Sequence, residues 1–254
     1  MDRPFVGKVA FVTGGTRGIG LATAREFARR GADVAISFFT NRTNAQEAQA
    51  GLRQFGGRVE LLRGNVGNPV HVDLMFDHLE QKLGRIDFFV SNAAMGVLKP
   101  VEELTLADWD RTMEVNVRSL MQGSQRSLRL MRKNGHGGRI VAISSMGAVR
   151  YIPNYAALGA AKAAIESLVR FLAVEFAPYG VVVNCVHSGM VDTDSLKRFT
   201  VRDELIAENI KRAPFRRLGT PEDIARVVVM LCTEDAAWIV GQSIVADGGY
   251  SING

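Results

Sequence analysis

Seven short runs rich in apolar and β-branched residues recur along the chain, and segments of helical period separate them. The runs are KVAFVTGG, DVAISFF, RVELLRGNV, IDFFVSNAA, RIVAISS, VVVNCVHSG and QSIVADGG. Between them lie stretches such as ATAREFARRG, VDLMFDHLEQKL and AAIESLVRFLAVEFAPYG. A strand that is apolar on both faces belongs in a parallel sheet covered by helices on both sides. Alternation repeated this often predicts an α/β fold built on a doubly wound parallel sheet. The 254 residues suffice for one such domain and are few for two, so 1–254 is read as a single unit. From about 193 to 214 the alternation breaks, and this stretch is read as a helical insertion that covers a site.

Composition removes several classes. No apolar run approaches the roughly 20 residues needed to cross a bilayer, and the N-terminus MDRPFVGKVAFVTGG carries no basic segment followed by an apolar one. A cytoplasmic protein without a membrane partner is expected. Cys185 and Cys232 both sit inside apolar runs, which favours buried thiols over a disulfide. His71, His78, His136 and His187 show no ligand spacing, so no metal site is expected. The net charge of +5 is modest, and no nucleic-acid motif accompanies it.

The segment FVTGGTRGIGLATAREFARRG sets Gly14, Gly18 and Gly20 between the first run and the first helical stretch. Such a turn brings backbone close to a pyrophosphate and aims the free N–H groups of a helix N-terminus at the anion. A plain glycine turn is the alternative; the position after a strand and before an amphipathic helix argues for a dinucleotide. An acid at the end of the second strand would bond the ribose 2′-hydroxyl. Here the strand end reads ISFFTNRTN, without one. Arg17 and Arg42 stand ready to meet a 2′-phosphate, or else are solvated surface cations. NADPH is therefore preferred to NADH.

Together these motifs resemble the short-chain dehydrogenases/reductases. Gly14-x3-Gly18-x-Gly20 is similar to that family's cofactor turn, and SNAA, residues 91–94, to its Asn-Asn-Ala-Gly strand end. Asn116 in MEVNVRSL resembles its helix asparagine, and AISSMG the strand with its catalytic serine, here Ser145. HSGMVDTD resembles its nicotinamide loop, with Ser188 in place of proline. The likeness runs from about Lys8 to Gly249 and implies a single-domain Rossmann-type fold. It implies cofactor contacts from Gly14, Thr16, Arg17, Gly18, Ile19 and Gly20, and from Val66, Asn92 and Ala93. Gly189, Val191 and Thr193 would follow, the last at the carboxamide, while Asn65 is read either as an adenine contact or as a turn residue.

One departure matters most. The family commonly sets its tyrosine four residues before the lysine and thirteen after the serine, and both counts fall on Leu158. A leucine has no proton to give. Tyr155 instead stands seven before Lys162, the spacing of the enoyl-acyl carrier protein reductases. RYIPNYAALGAAKAAIE and GVLKPVEEL are similar to the FabL type of those enzymes. Seven helical residues turn through about 700°, so Tyr155 and Lys162 share a face. Pro153 and Asn154 suggest a helix start with Asn154 as N-cap, which puts Tyr155 in the first turn with its ring leading away from Lys162. In 2-enoyl thioester reduction hydride enters the β-carbon while charge develops on the carbonyl oxygen beyond it. A phenol set back along its helix would serve that oxygen.

The expected activity is NADPH-dependent reduction of a trans-2-enoyl thioester, on acyl carrier protein or CoA, in fatty-acid or related acyl-chain synthesis. Tyr155 would hydrogen-bond the developing oxyanion, and Lys162 would hold the nicotinamide ribose and favour a polarised phenol. Tyr151 assists at the carbonyl or packs, Ser145 touches substrate or caps its strand, Asn116 supports site geometry, and Ser144 is read as a backbone spacer. The competing readings are a reductase of 3-oxoacyl thioesters or other carbonyls, and a catalytically silent dinucleotide sensor. Lys197, Arg198, Lys211, Arg212, Arg216 and Arg217 in KRFTVRDELIAENIKRAPFRRLG would attract a phosphopantetheine phosphate or an acidic carrier protein, or form a solvated face. The helices around DWDRTMEVNVRSLMQGSQRSL and AAIESLVRFLAVEF suggest subunit contact, as in family dimers and tetramers, or ordinary core.

Overall fold

The computed structural model describes residues 3–194, 196 and 202–253. The seven apolar runs become strands β1 (Val9–Val12), β2 (Asp33–Phe38), β3 (Val59–Arg63), β4 (Phe88–Ser91), β5 (Gly138–Ser145), β6 (Val181–Ser188) and β7 (Ser243–Ala246). They pair in parallel in the order β3-β2-β1-β4-β5-β6-β7. Helices α1 (Gly18–Arg29), α2 (Arg42–Arg53), α3 (Pro69–Leu83), α4 (Leu106–Met113) and α5 (Ser119–Asn134) follow the early strands. Later come α6 (Ala156–Phe176), α7 (Arg202–Arg212) and α8 (Pro221–Met230).

The apolar strands at the centre of the sheet have a simple cause: each lies between two cores. Val9 and Phe11 of β1 enter one core, with α3, α5 and α6, while Ala10 and Val12 enter the other, with α1, α2 and α8. Phe89 and its neighbours Phe88 and Val90 divide in the same way. Phe11 meets Phe76 edge-on at 5.3 Å in the first core, and Phe27 stacks on Phe88 at 5.2 Å in the second.

Helix starts follow side-chain chemistry. Asn41 and Asn68 cap α2 and α3, and Thr105 with Asp108 and Thr220 with Asp223 form capping boxes on α4 and α8. Between α4 and α5 the backbone widens into one π-turn, Glu114–Arg118, which carries Asn116. Asn154 is not the cap of α6: it adopts φ 61°, and its carbonyl accepts the Lys99 N–H at 3.1 Å. An N-cap needs extended backbone to turn its side chain onto the first amides. Tyr155 precedes the first helical residue instead, with φ −106° and ψ 9°; its carbonyl accepts from Gly159, and its side chain caps no amide.

The chain winds outward from β1 through β2 to β3, then returns beyond β1 to β4. The strand order reverses there, and a crevice opens at the carboxyl ends of the strands. The expected insertion carries α7, and a bridge between Val191 and Gly219 closes its base. Lys197 and Arg198 lie outside the described residues. Of the other cations in that run, Arg217 is engaged by Asp223 at 2.6 Å, and Arg212 lies over the Tyr250 ring.

Candidate active site

A cleft of about 820 Å³ occupies the crevice. At its β1 side Gly14 and Gly18 take φ values of 63° and 52°, where a side chain would strain the backbone. Gly20 is required for space: a Cβ there would stand 2.4 Å from the Gly14 carbonyl oxygen and 2.5 Å from Nδ2 of Asn92. Helix α1 starts here with no side-chain cap, unlike α2, α3, α4 and α8, and with no acid in its first turn. Its leading N–H groups are left to an anion, and Thr16, Arg17 and Ile19 line the cleft around them. A Cβ at Gly18 would meet Cγ2 of Thr193 at 3.4 Å, so glycine leaves a narrow slot facing the nicotinamide loop. The cradle fits a dinucleotide pyrophosphate.

Neighbouring side chains hold this turn in place. Thr13 Oγ1 accepts the N–H groups of Asn92 and Ala93, both at 3.0 Å. Asn92 Nδ2 donates to the carbonyls of Thr13 and Gly14, so that side chain braces the turn while the residue lines the cleft. Asn65 Oδ1 accepts the Gly67 N–H at 3.0 Å, the turn role, and Asn65 lines the cleft together with Val66. Gly189, Val191 and Thr193 line the opposite side. Arg42 is not brought to the cleft. Capped by Asn41, α2 turns it out to solvent, and Thr40, Asn41 and Asn44 line the cleft instead.

The reactive groups gather where β5 and α6 meet. Ser145 ends β5, its Oγ accepts the Gly147 N–H at 3.3 Å, and it lies 3.1 Å from the Tyr155 hydroxyl. Ser145 thus caps its strand end and also lines the cleft beside Tyr155. The Tyr155 ring lies on Gly147, where an added Cβ would stand 2.4 Å from Cε1. Burial raises the Tyr155 pKa and the Ser145 hydrogen bond opposes that rise, so the phenol keeps its proton at neutral pH. Lys162 is 5% exposed, and its Nζ donates to the Ile143 carbonyl at 2.7 Å. Burial brings its pKa down to about 8, against the pull of Cys185 and Glu166.

Leu158 packs on Gly96, where an added Cβ would stand 3.0 Å from the leucine Cβ. Leu158 does not line the cleft. Tyr151 lines the rim and is 88% exposed. Asn116 lies behind the site and not in it: Nδ2 donates to the Met95 and Thr112 carbonyls at 2.6 and 2.8 Å, and Oδ1 is buried without a protein partner.

The reading of Ser144 as a spacer is corrected. It is fully buried, and its Oγ donates to Glu166 Oε1 at 2.6 Å. The same carboxylate oxygen lies 2.8 Å from His187 Nδ1. Sequence reasoning passed over this cluster because its members come from different elements with no motif spacing between them. It also passed over Arg150 and Tyr250 in the cleft wall. Arg150 donates to the Ser251 carbonyl at 2.8 Å, and Arg150 and Arg212 both lie over the Tyr250 ring. Among the described residues no group of three or more His, Cys, Asp or Glu side chains is disposed to hold a metal, and no helix is long and apolar enough to cross a membrane. Both cysteines are buried with thiol pKa values pushed up to about 12.

An anion cradle at one end of the cleft, with a paired phenol and a buried ammonium at the other, equips this protein as a dinucleotide-dependent oxidoreductase. A family model described as enoyl-(acyl carrier protein) reductase matches residues 14–251. The 1-cyclohexenylcarbonyl-CoA reductase of Streptomyces collinus is 41% identical over 247 residues, covering 96% of this chain and 87% of its own. A short-chain dehydrogenase from Burkholderia cenocepacia in complex with NADP is 33% identical, with TM-score 0.89 over 97% of this chain and 99% of that one. A 7α-hydroxysteroid dehydrogenase complexed with NADH is 34% identical, with TM-score 0.92 over 98% and 96% of the two chains. The chain belongs to the short-chain dehydrogenase/reductase family, and its cofactor is a nicotinamide dinucleotide.

Proposed function

We propose that this protein reduces the carbon–carbon double bond of a 2-enoyl thioester with NADPH. The observation that carries the reading is the placement of the phenol. Tyr155 reaches Ser145 at 3.1 Å from the helix cap, while the position four residues before Lys162 holds Leu158 against Gly96. The similarity to a protein named 1-cyclohexenylcarbonyl-CoA reductase and the enoyl-reductase family model support it.

When bound, the nicotinamide dinucleotide would supply hydride to the β-carbon, and a proton from water at the α-carbon would complete the reduction. The protein's own part is to stabilise charge on the thioester oxygen. Tyr155, protonated because it is buried, donates a hydrogen bond to that oxygen, and Ser145 holds the phenol in direction. Lys162, anchored by the Ile143 carbonyl, keeps a positive charge in the wall of the site and binds the cofactor ribose. Gly14, Gly18 and the first turn of α1 hold the pyrophosphate. Preference for NADPH follows from charge. Among the described residues lining the cleft, the carboxylates are Asp194 and Glu208, neither at the β2 end, and Arg17 stands at the glycine turn. Exposed Phe171 and Val174 on α6 support self-association through that helix.

The test is a parallel assay of NADPH consumption with crotonyl-CoA, a cyclohexenylcarbonyl-CoA, a carrier-bound enoyl chain and acetoacetyl-CoA. Turnover of the enoyl thioesters alone supports the reading. Turnover of acetoacetyl-CoA alone replaces it with carbonyl reduction, which the Ser145–Tyr155 pair would also serve. NADPH binding with no turnover of any of the four favours the sensor.

A further inference from the structure

Glu166 lies one helical turn beyond Lys162 on α6, its side chain 12% exposed. Its Oε1 accepts from Ser144 Oγ at 2.6 Å and from His187 Nδ1 at 2.8 Å. Those two donors face each other across neighbouring strands, since β5 and β6 pair Ser144 with His187 and Ser145 with Ser188. Ser188 Oγ in turn donates to the Ser144 carbonyl at 3.2 Å, and His187 Nε2 lies 3.2 Å from Met146 Sδ. One carboxylate thus joins the end of β5, which carries Ser145, and the end of β6, which leads into Gly189, to the helix that carries Lys162.

We propose that Glu166 is a positioning residue of the active site: its carboxylate locks the ends of β5 and β6 onto α6 and supplies the counter-charge that keeps Lys162 an ammonium. This rests on the reading of Tyr155 and Lys162 as working groups. Two titratable groups act on Lys162, Cys185 on β6 and Glu166 on its own helix. Cys185 is a neutral thiol at working pH, because burial and Glu166 push its pKa up to about 12. Glu166 is then the charge opposing the burial penalty. Burial works to raise the Glu166 pKa, but hydrogen bonds from His187 and Ser144 outweigh it, with His187 and Arg170 charges adding to them, and hold the carboxyl below its ordinary value. His187 also faces Asp247, just past β7. Glu166 is therefore ionised throughout the range in which Lys162 titrates.

Removing that charge lets Lys162 lose its proton at lower pH. The test compares the wild type with Glu166→Gln in two measurements on the full chain. The first follows the Lys162 side-chain ¹³Cε signal against pH, assigned by its loss in Lys162→Met. The second is the pH profile of kcat/KM with NADPH and crotonyl-CoA. In Glu166→Gln the Lys162 midpoint falls by roughly one pH unit, and the basic limb of the profile falls with it. A merely structural Glu166 would lower activity equally at every pH and leave the midpoint in place, which overturns the counter-charge. Ser144→Ala keeps the carboxylate but loses one of its donors. It should leave the midpoint unmoved and reduce kcat several-fold; an unchanged kcat overturns the positioning role. If the wild type reduces none of the enoyl thioesters, the proposed reaction fails, and the Lys162 titration still decides the role of Glu166.

Discussion

Leu158 rests on Gly96 so closely that a Cβ added at residue 96 would stand 3.0 Å from the leucine Cβ and 3.1 Å from both of its methyl groups. The pair joins the loop after β4 to the first turn of α6, beside Tyr155. Gly96→Ala overpacks this contact and should cost about 1–3 kcal/mol. Leu158→Ala leaves a gap, and the double variant should recover about 1 kcal/mol against the sum of the two. Urea midpoints of the four proteins check this; strict additivity would show that the two side chains do not share the space.

Tyr155→Phe removes the hydroxyl and keeps the ring on Gly147. Enoyl-thioester kcat/KM should drop by about 10²–10⁴-fold while NADPH binding, followed by fluorescence titration, stays near the wild-type level. Full activity in this variant removes the assignment of Tyr155.

Arg17→Ala takes one guanidinium from the glycine turn. A charge-assisted bond to phosphate is worth about 1.5–3 kcal/mol, so the KM for NADPH should rise roughly 10–100-fold while that for NADH barely moves. Equal losses with both cofactors would place Arg17 away from the 2′-phosphate.

Two glycine-to-alanine changes should have opposite signs. Gly20→Ala drives a methyl into the Gly14 carbonyl at 2.4 Å, and should abolish cofactor binding and lower Tm. Gly51, inside α2, has nothing within 4 Å of an added Cβ, and Gly51→Ala should stabilise by about 0.5–1 kcal/mol. Thermal melts with and without NADPH separate the two cases.

The capping box of α8 carries an acid dependence. Asp223 has its pKa held to about 2, first by the Arg217 hydrogen bond, with burial opposing and Thr220 assisting. A carboxyl depressed on folding contributes stability above its ordinary 3.8, and that contribution is lost as pH falls through about 2. Thr220→Ala should cost about 1 kcal/mol at pH 7. The stability gap between wild type and Asp223→Asn should narrow steadily as the pH is lowered from about 5; a constant gap would contradict it.

The parts of this protein that were legible before folding share one property, that their signal is local. Seven apolar runs named seven strands because a strand covered on both faces, as those at the centre of the sheet are, keeps few polar positions. The glycine turn was legible because positive φ at Gly14 and Gly18 and lack of space at Gly20 leave glycine as the residue that fits. Tyr155 and Lys162 were singled out because their spacing resembles that of the enoyl reductases. Asn154 was misread as a cap because asparagine serves equally in the left-handed conformation that it adopts here. Arg42 was assigned from position along the chain, which does not say whether a side chain turns toward a cleft or away from it.

The linear sequence by itself determined the doubly wound sheet, the dinucleotide cradle and the spacing of the phenol from the ammonium. These depend on periodicity, backbone freedom and residue counts, all of which act over a few neighbours. The tertiary structure alone decided that Leu158 meets Gly96, that Ser145 meets Tyr155, and that Glu166 binds Ser144 and His187 behind Lys162. Those contacts join separate elements across the sheet and its covering helix, and such distances exist only once the chain has packed.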